Sequence, residues 1–146
     1  MIIGEYEGKL TDKNRLAVPA KIRSEFKSEL IVCRGYEGCL LLFDGKRWKD
    51  LIKVLSQKPL LQMNIRDTKR FLVGGAHELD LDQQGRFVVP QQLKSYASLN
   101  NEVVFVAILD WVEIWDKNNW DRKLAELTES AGDIADRLVQ EYENKT

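Results

Sequence analysis

An α+β architecture of two similar halves with flanking helices is expected for this chain, on three observations. First, Leu10-Thr11-Asp12-Lys13-Asn14-Arg15-Leu16-Ala17-Val18-Pro19-Ala20-Lys21-Ile22-Arg23 recurs 71 positions later as Leu81-Asp82-Gln83-Gln84-Gly85-Arg86-Phe87-Val88-Val89-Pro90-Gln91-Gln92-Leu93-Lys94, with Leu, Arg, Val and Pro identical. Second, Phe43-Asp44 and Trp48 are answered 72 positions later by Trp115-Asp116 and Trp120, so one indel separates the two offsets. Third, both halves alternate short apolar runs with stretches of helical spacing. The halves are expected at 1–73 and 74–146. They should pack as one unit, because about 70 residues alone make a marginal core.

The elements follow in order. Glu5, Glu7 and Lys9 alternate with Tyr6, Gly8 and Leu10, the period of a strand with one wet face. Asp12-Lys13-Asn14 reads as a turn, since Asn tolerates the left-handed backbone that Gly85 supplies in the second copy. A short strand is expected at Leu16 to Val18, and its counterpart at Phe87 to Val89. Pro19 and Pro90 suit the first turn of a short helix, where a missing N–H costs nothing. Phe26, four residues after Ile22, is expected on the buried stripe of the first such helix. Leu30 to Cys33 and Cys39 to Phe43 flank Gly35-Tyr36-Glu37-Gly38 as a hairpin, matched by Val103 to Leu109 and Trp111 to Trp115. Helical spacing then places Trp48, Leu51, Ile52 and Leu55 on one helix, and Trp120, Leu124 and Leu127 on another. Pro59 ends the first, a further helix is expected over 60–72, and Gly74-Gly75 turns the chain into the second copy. The last helix continues through Ala131, Ile134, Leu138 and Tyr142 despite Gly132. Its apolar stripe needs a surface, on this chain or on a neighbouring one.

A composition of 44% hydrophobic and 31% charged residues, with 9 Gly and 3 Pro, excludes disordered and collagen-like classes. The longest apolar run, Val103 to Leu109, is too short to span a bilayer, and Met1-Ile2-Ile3-Gly4-Glu5 lacks the basic start of a secretion signal. Neither export nor a membrane partner is expected. Cys33 and Cys39 are the only cysteines and have no companion metal-ligand set, which fits buried thiols in a reducing cytoplasm. His77 is the sole histidine, beside Glu78 at an expected strand start. No activated nucleophile, phosphate loop or paired-histidine motif accompanies it, so no catalytic residue, metal, cofactor or small-molecule substrate is expected, and the chain does not read as an enzyme. The net charge of -1 gives no general attraction to a polyanion. Its distribution is uneven, however: eight Lys/Arg against three Asp from Asp44 to Arg70, and five against ten Asp/Glu from Asp110 onward.

At the repeated motif the sequence resembles the MraZ family and, more broadly, the SpoVT/AbrB-like swapped-hairpin DNA-binding domains. The resemblance runs from Met1-Ile2-Ile3-Gly4 through Gly74-Gly75-Ala76-His77-Glu78-Leu79 to about Leu127. The family carries two copies of an Asp-x-x-x-Arg element followed by a strand and a Pro-initiated helix. Asp82-Gln83-Gln84-Gly85-Arg86 is an intact copy; in the first, Thr11 stands where the family has Asp, and Asn14 where it has Gly. The resemblance implies two tandem AbrB-like repeats forming one pseudo-twofold β-barrel with flanking helices. It also implies a transcription regulator of a cell-division and cell-wall gene cluster that binds its own promoter and assembles into rings.

The chemistry of the turn fits that implication. Arg presents paired donors that match O6 and N7 of guanine, a contact worth roughly 1–3 kcal/mol of discrimination. Arg15 and Arg86 are therefore the expected base readers on double-stranded DNA. Asp82 is expected to orient the fork of Arg86, and Thr11 stands in the orienting place of the first copy. Lys13 and Lys9 suit phosphate contacts, and Gln83 or Gln84 can reach phosphate or an adenine edge. The first copy, with Lys9, Lys13, Arg15, Lys21 and Arg23, should dominate affinity over the second, with Arg86 and Lys94. Other readings stay open: a turn Arg can simply bridge to a carboxylate, and Lys21 and Arg23 can be solvated helix charges. At the level of the whole chain, the alternatives are a ring-forming protein scaffold with Trp111, Trp115 and the last helix as its contact stripe, or an antitoxin-like regulator. Few phosphate contacts per chain imply weak binding unless several copies act together. A head-to-tail homo-oligomer would match direct repeats about one helical turn apart.

Overall fold

The computed structural model describes residues 1–27 and 29–145. Its strands are β1 (Ile3–Lys9), β2 (Arg15–Ala17), β3 (Leu30–Arg34), β4 (Leu40–Asp44), β5 (His77–Leu79), β6 (Arg86–Val88), β7 (Glu102–Ile108) and β8 (Val112–Asp116). The helices are α1 (Ala20–Glu25), α2 (Gly45–Ser56), α3 (Met63–Leu72), α4 (Gln91–Tyr96) and α5 (Lys117–Asn144). By internal contacts the chain forms two units, residues 1–116 with all the strands, and residues 117–146 with α5.

Six strands form one antiparallel sheet in the order β1-β7-β8-β4-β3-β5, while β2 and β6 pair as a separate two-stranded ribbon. The first strand of each half pairs with the other half's hairpin: β1 lies on β7, and β5 on β3. The two hairpins meet along β4 and β8, where Leu41 faces Glu113, the residue 72 positions later. In the ribbon Leu16 likewise faces Phe87, 71 positions later. A pseudo-twofold axis thus runs through both pairings. An isolated bridge between Leu10 and Leu16 links the end of β1 to the ribbon.

One core draws on sheet and ribbon together, and the six-stranded sheet keeps β1 and β5 as its edges. It takes Leu16, Val18, Ile22 and Leu30 from the first half, and Phe87, Val89, Leu93 and Phe105 from the second. Phe105 is fully buried, and so is Leu40 from the strand beside the axis. Cys33 and Cys39 are buried and unpaired with each other, and burial raises the Cys33 thiol to about 12 and that of Cys39 higher still. They behave as small apolar residues.

Several boundaries differ from the sequence expectation. Pro19 and Pro90 sit one residue before their helices, with extended backbones (ψ 141° and 136°). Phe26 is the residue after α1 rather than on it, is buried, and has the Arg47 guanidinium 4.8 Å above its ring. The helix expected over 60–72 begins only at Met63, leaving Leu60 and Leu61 in an exposed turn after Pro59. Asp44 is the buried cap of α2: its carboxylate accepts the Arg47 N–H at 2.9 Å and the Arg47 guanidinium at 2.8 Å. Asp116, its repeat partner, is also buried and accepts the Asn100 N–H at 3.1 Å. The α5 helix is continuous through Gly132, with Ile134, Leu138, Val139 and Tyr142 exposed.

Candidate functional site

The turn between β5 and β6 is built around Asp82. One carboxylate oxygen accepts the N–H groups of Gln84 at 2.8 Å and Arg86 at 3.0 Å, and the other accepts Arg86 Nε at 3.0 Å. The Asp82 N–H donates back to the Arg86 carbonyl at 2.9 Å, and the Gly85 N–H donates to the Asp82 carbonyl at 3.0 Å. Gly85 closes the turn at φ 74°, in the left-handed region. Asp82 is held below its ordinary 3.8 chiefly by the Arg86 N–H; partial desolvation opposes this, while the Arg86 side chain and Gln84 N–H assist.

The turn between β1 and β2 repeats these backbone hydrogen bonds with one side-chain oxygen fewer. Thr11 accepts the Arg15 N–H on its hydroxyl at 3.1 Å, and its own N–H donates to the Arg15 carbonyl at 2.9 Å. Asn14 takes the left-handed place at φ 60°, and its N–H donates to the Thr11 carbonyl at 2.9 Å. Thr11 has no second oxygen for a guanidinium. Among the described residues, no hydrogen bond or ion pair holds the Arg15 side chain.

The ribbon brings the two arginines to one face. Strand alternation turns Leu16 and Phe87 inward, 0% and 2% exposed, and places Arg15, Ala17, Arg86 and Val88 on the opposite side. Arg15 lies opposite Val88, and Ala17 opposite Arg86. The arginines are thus diagonal neighbours across the pseudo-axis, with Cα atoms about 7 to 8 Å apart. Lys9 ends β1 and is exposed, as are Lys13, Gln83 and Gln84 at the turn tips and Asp12 beside Lys13.

Each turn is anchored by the other half. The Val18 N–H donates to the Gly85 carbonyl at 2.9 Å, and the Val89 N–H to the Asn14 carbonyl at 2.8 Å. The matching cations of α1 and α4 also cross over. Lys94 Nζ donates to Asn14 Oδ1 at 2.7 Å, whereas Arg23 donates from Nε to the Val18 carbonyl at 3.0 Å and lies against Gly85. A Cβ at Gly85 would meet the Arg23 guanidinium carbon at 2.6 Å. Arg23 is therefore a turn support as well as an exposed cation of α1, like Lys21. The linear pattern gave no signal for this crossover beyond the Arg23 to Lys94 match.

Features named for the other readings have local duties. Trp111 and Trp115 donate their indole N–H groups to the two Glu113 oxygens at 3.3 and 2.9 Å, and Trp115 is buried. His77 begins β5 and is half-buried. Among the described residues, no helix is long and apolar enough to cross a membrane, and no cluster of three or more His, Cys, Asp or Glu could hold a metal ion.

The family profile described as "MraZ protein, putative antitoxin-like" matches the chain twice, at residues 1–71 and 72–142. A relative from Pediococcus pentosaceus is 37% identical over 139 residues, covering 95% of this chain and 97% of its own length. One from Clostridium acetobutylicum is 40% identical over 134 residues, 92% of each chain. A third, from Caldicellulosiruptor saccharolyticus, is 36% identical over 140 residues, 96% of this chain and 98% of its own. All three bear the name transcriptional regulator MraZ. Matched in both of its repeats and along nearly the whole length of these relatives, the chain belongs to the MraZ family.

Proposed function

We propose that this protein is a transcriptional regulator that binds double-stranded DNA in a sequence-specific way and represses its own cell-division and cell-wall gene cluster from direct repeats in the promoter. The observation that carries the reading is the ribbon face, on which Arg15 and Arg86 lie together on one two-stranded element. A two-stranded β-ribbon fits the major groove, where guanidinium forks find guanine O6 and N7. Arg15 and Arg86 read bases in this proposal, with Asp82 orienting Arg86 and Thr11 fixing only the backbone at Arg15. Lys9, Lys13, Gln83 and Gln84 contact phosphates or neighbouring base edges. The working unit is the pair of repeats, 1–73 and 74–146, in a cytoplasmic, nucleoid-associated protein without a cofactor.

Self-association into a ring-like homo-oligomer completes the reading, since a near-neutral chain with few phosphate contacts needs several copies acting together. The exposed Ile134, Leu138 and Tyr142 of α5, on the acidic C-terminal stretch, support docking on a second copy. The basic segment from Asp44 to Arg70, with exposed Val54, Leu60, Leu61 and Met63, is the complementary surface. Such a contact joins unlike surfaces and repeats one orientation, which matches direct repeats rather than a palindrome.

Fluorescence anisotropy with promoter DNA at two salt concentrations tests the proposal. Affinity should fall steeply with salt, and the Arg15→Ala, Arg86→Ala double variant should lose specific binding; unchanged affinity rejects the assignment. The family's antitoxin-like description favours a second reading, in which the protein sequesters a protein partner. That partner's binding would survive the double substitution.

A further inference from the structure

Four side chains share the outward face of the β2–β6 ribbon, and they alternate in character. Arg15 stands opposite Val88 and Ala17 opposite Arg86, so the guanidiniums occupy one diagonal and two apolar side chains the other. Val88 is 59% exposed, although the inward neighbours on either side of it, Phe87 and Val89, are both buried. Strand propensity accounts for a valine anywhere in β6. It does not account for a branched apolar group held exposed directly opposite Arg15 on a face that also carries Arg86.

The geometry points to Val88 as a specificity-determining contact for the 5-methyl group of a thymine, with Ala17 as its shorter counterpart. The inference rests on the DNA-binding reading above and adds a base class to it. The thymine methyl is the apolar group that base pairs present on the floor of the major groove. Same-face residues on a strand, such as Arg86 and Val88, are about 6.8 Å apart, close to two base-pair steps of roughly 3.4 Å. A strand laid along the groove would therefore set a thymine methyl against Val88 two base pairs from the guanine held by Arg86. Alanine is shorter than valine, so the matching contact at Ala17 is weaker and the ribbon reads its site with a direction.

The test uses the full-length protein and a duplex enriched by it from a randomised pool. Each thymine of that duplex is replaced in turn by deoxyuridine, which removes only the 5-methyl group, and affinity is measured by anisotropy. The wild type should lose about three- to tenfold at one thymine, two base pairs from a guanine protected by Arg86. Val88→Ala should bind the parent duplex correspondingly less tightly and be indifferent to deoxyuridine at that position. Val88→Thr keeps the β-branched shape and guards against a folding artefact; it should show a partial loss. Ala17→Val should make a second thymine sensitive. Equal deoxyuridine effects in wild type and Val88→Ala overturn the inference while leaving DNA binding intact. Failure of the wild type to enrich any duplex overturns the DNA-binding reading itself, and this contact with it.

Discussion

Asp82 and Thr11 hold matching places, and a single oxygen distinguishes what they can do. Both accept the N–H of the arginine four residues on, but Asp82 also grips the guanidinium. Asp82→Thr should thus keep the turn and free the Arg86 side chain. The expected result is a melting temperature within a few degrees of wild type, with a lower ¹⁵N heteronuclear NOE at Arg86 Nε. The same carboxylate carries a pH dependence. Its protonation constant is lowered by the folded turn, so its contribution is complete above the ordinary 3.8 and is lost as pH falls through the lower folded value. The amide resonances of Gln84 and Arg86 should titrate below that ordinary value, and Asp82→Asn should abolish the titration. Arg15 has no second oxygen at Thr11 to hold its side chain, and in the proposed complex the DNA base supplies that partner. Its alanine variant should lose about tenfold or more in affinity, a loss that anisotropy would read directly.

The turns and short helices operate as coupled pairs across the two halves. Gly85 is closed in by Arg23, while Asn14 is met by the slimmer Lys94. Gly85→Asn alone should destabilise the protein by about 1–2 kcal/mol, because the new side chain enters the space of the guanidinium. Combining it with Arg23→Lys copies the chemistry of the first turn and should restore part of that loss, a coupling of at least about 0.5 kcal/mol in urea unfolding. Local elements were legible in the residues: alternation marked β1, the paired prolines marked α1 and α4, and Gly35 to Gly38 marked a hairpin. Both arginines and both turns could be placed as well. The short strands begin one residue earlier than their apolar runs, because hydrophobicity marks Leu16 and Phe87 but not the polar arginines that join the ladder. Likewise Leu60 and Leu61 look helical by type, yet follow Pro59 and lie outside α3. Pairing between halves was not legible, since a period-2 pattern states which face is buried and not which strand covers it. The crossing of Arg23 and Lys94 depends on that pairing and was hidden with it.

At the scale of the molecule, charge and exposed apolar surface are distributed unevenly along one chain. Leu138→Glu with Tyr142→Glu adds repulsion on α5 without touching the packed core, as both side chains are exposed. Light scattering should report a lower mass for this variant at unchanged circular dichroism, with weaker binding to DNA carrying several repeats and little change on a single site. The pairing of Leu41 with Glu113, and of Leu16 with Phe87, has a further meaning. Two free chains, each the length of one repeat and related by a true twofold, would set a residue against its own twin at these same points. The fold thus has the symmetry of such a homodimer within a single chain. Neither half has to suit both positions at once: Thr11 differs from Asp82, and Ala17 from Val88, so the two ends of the ribbon are chemically unlike.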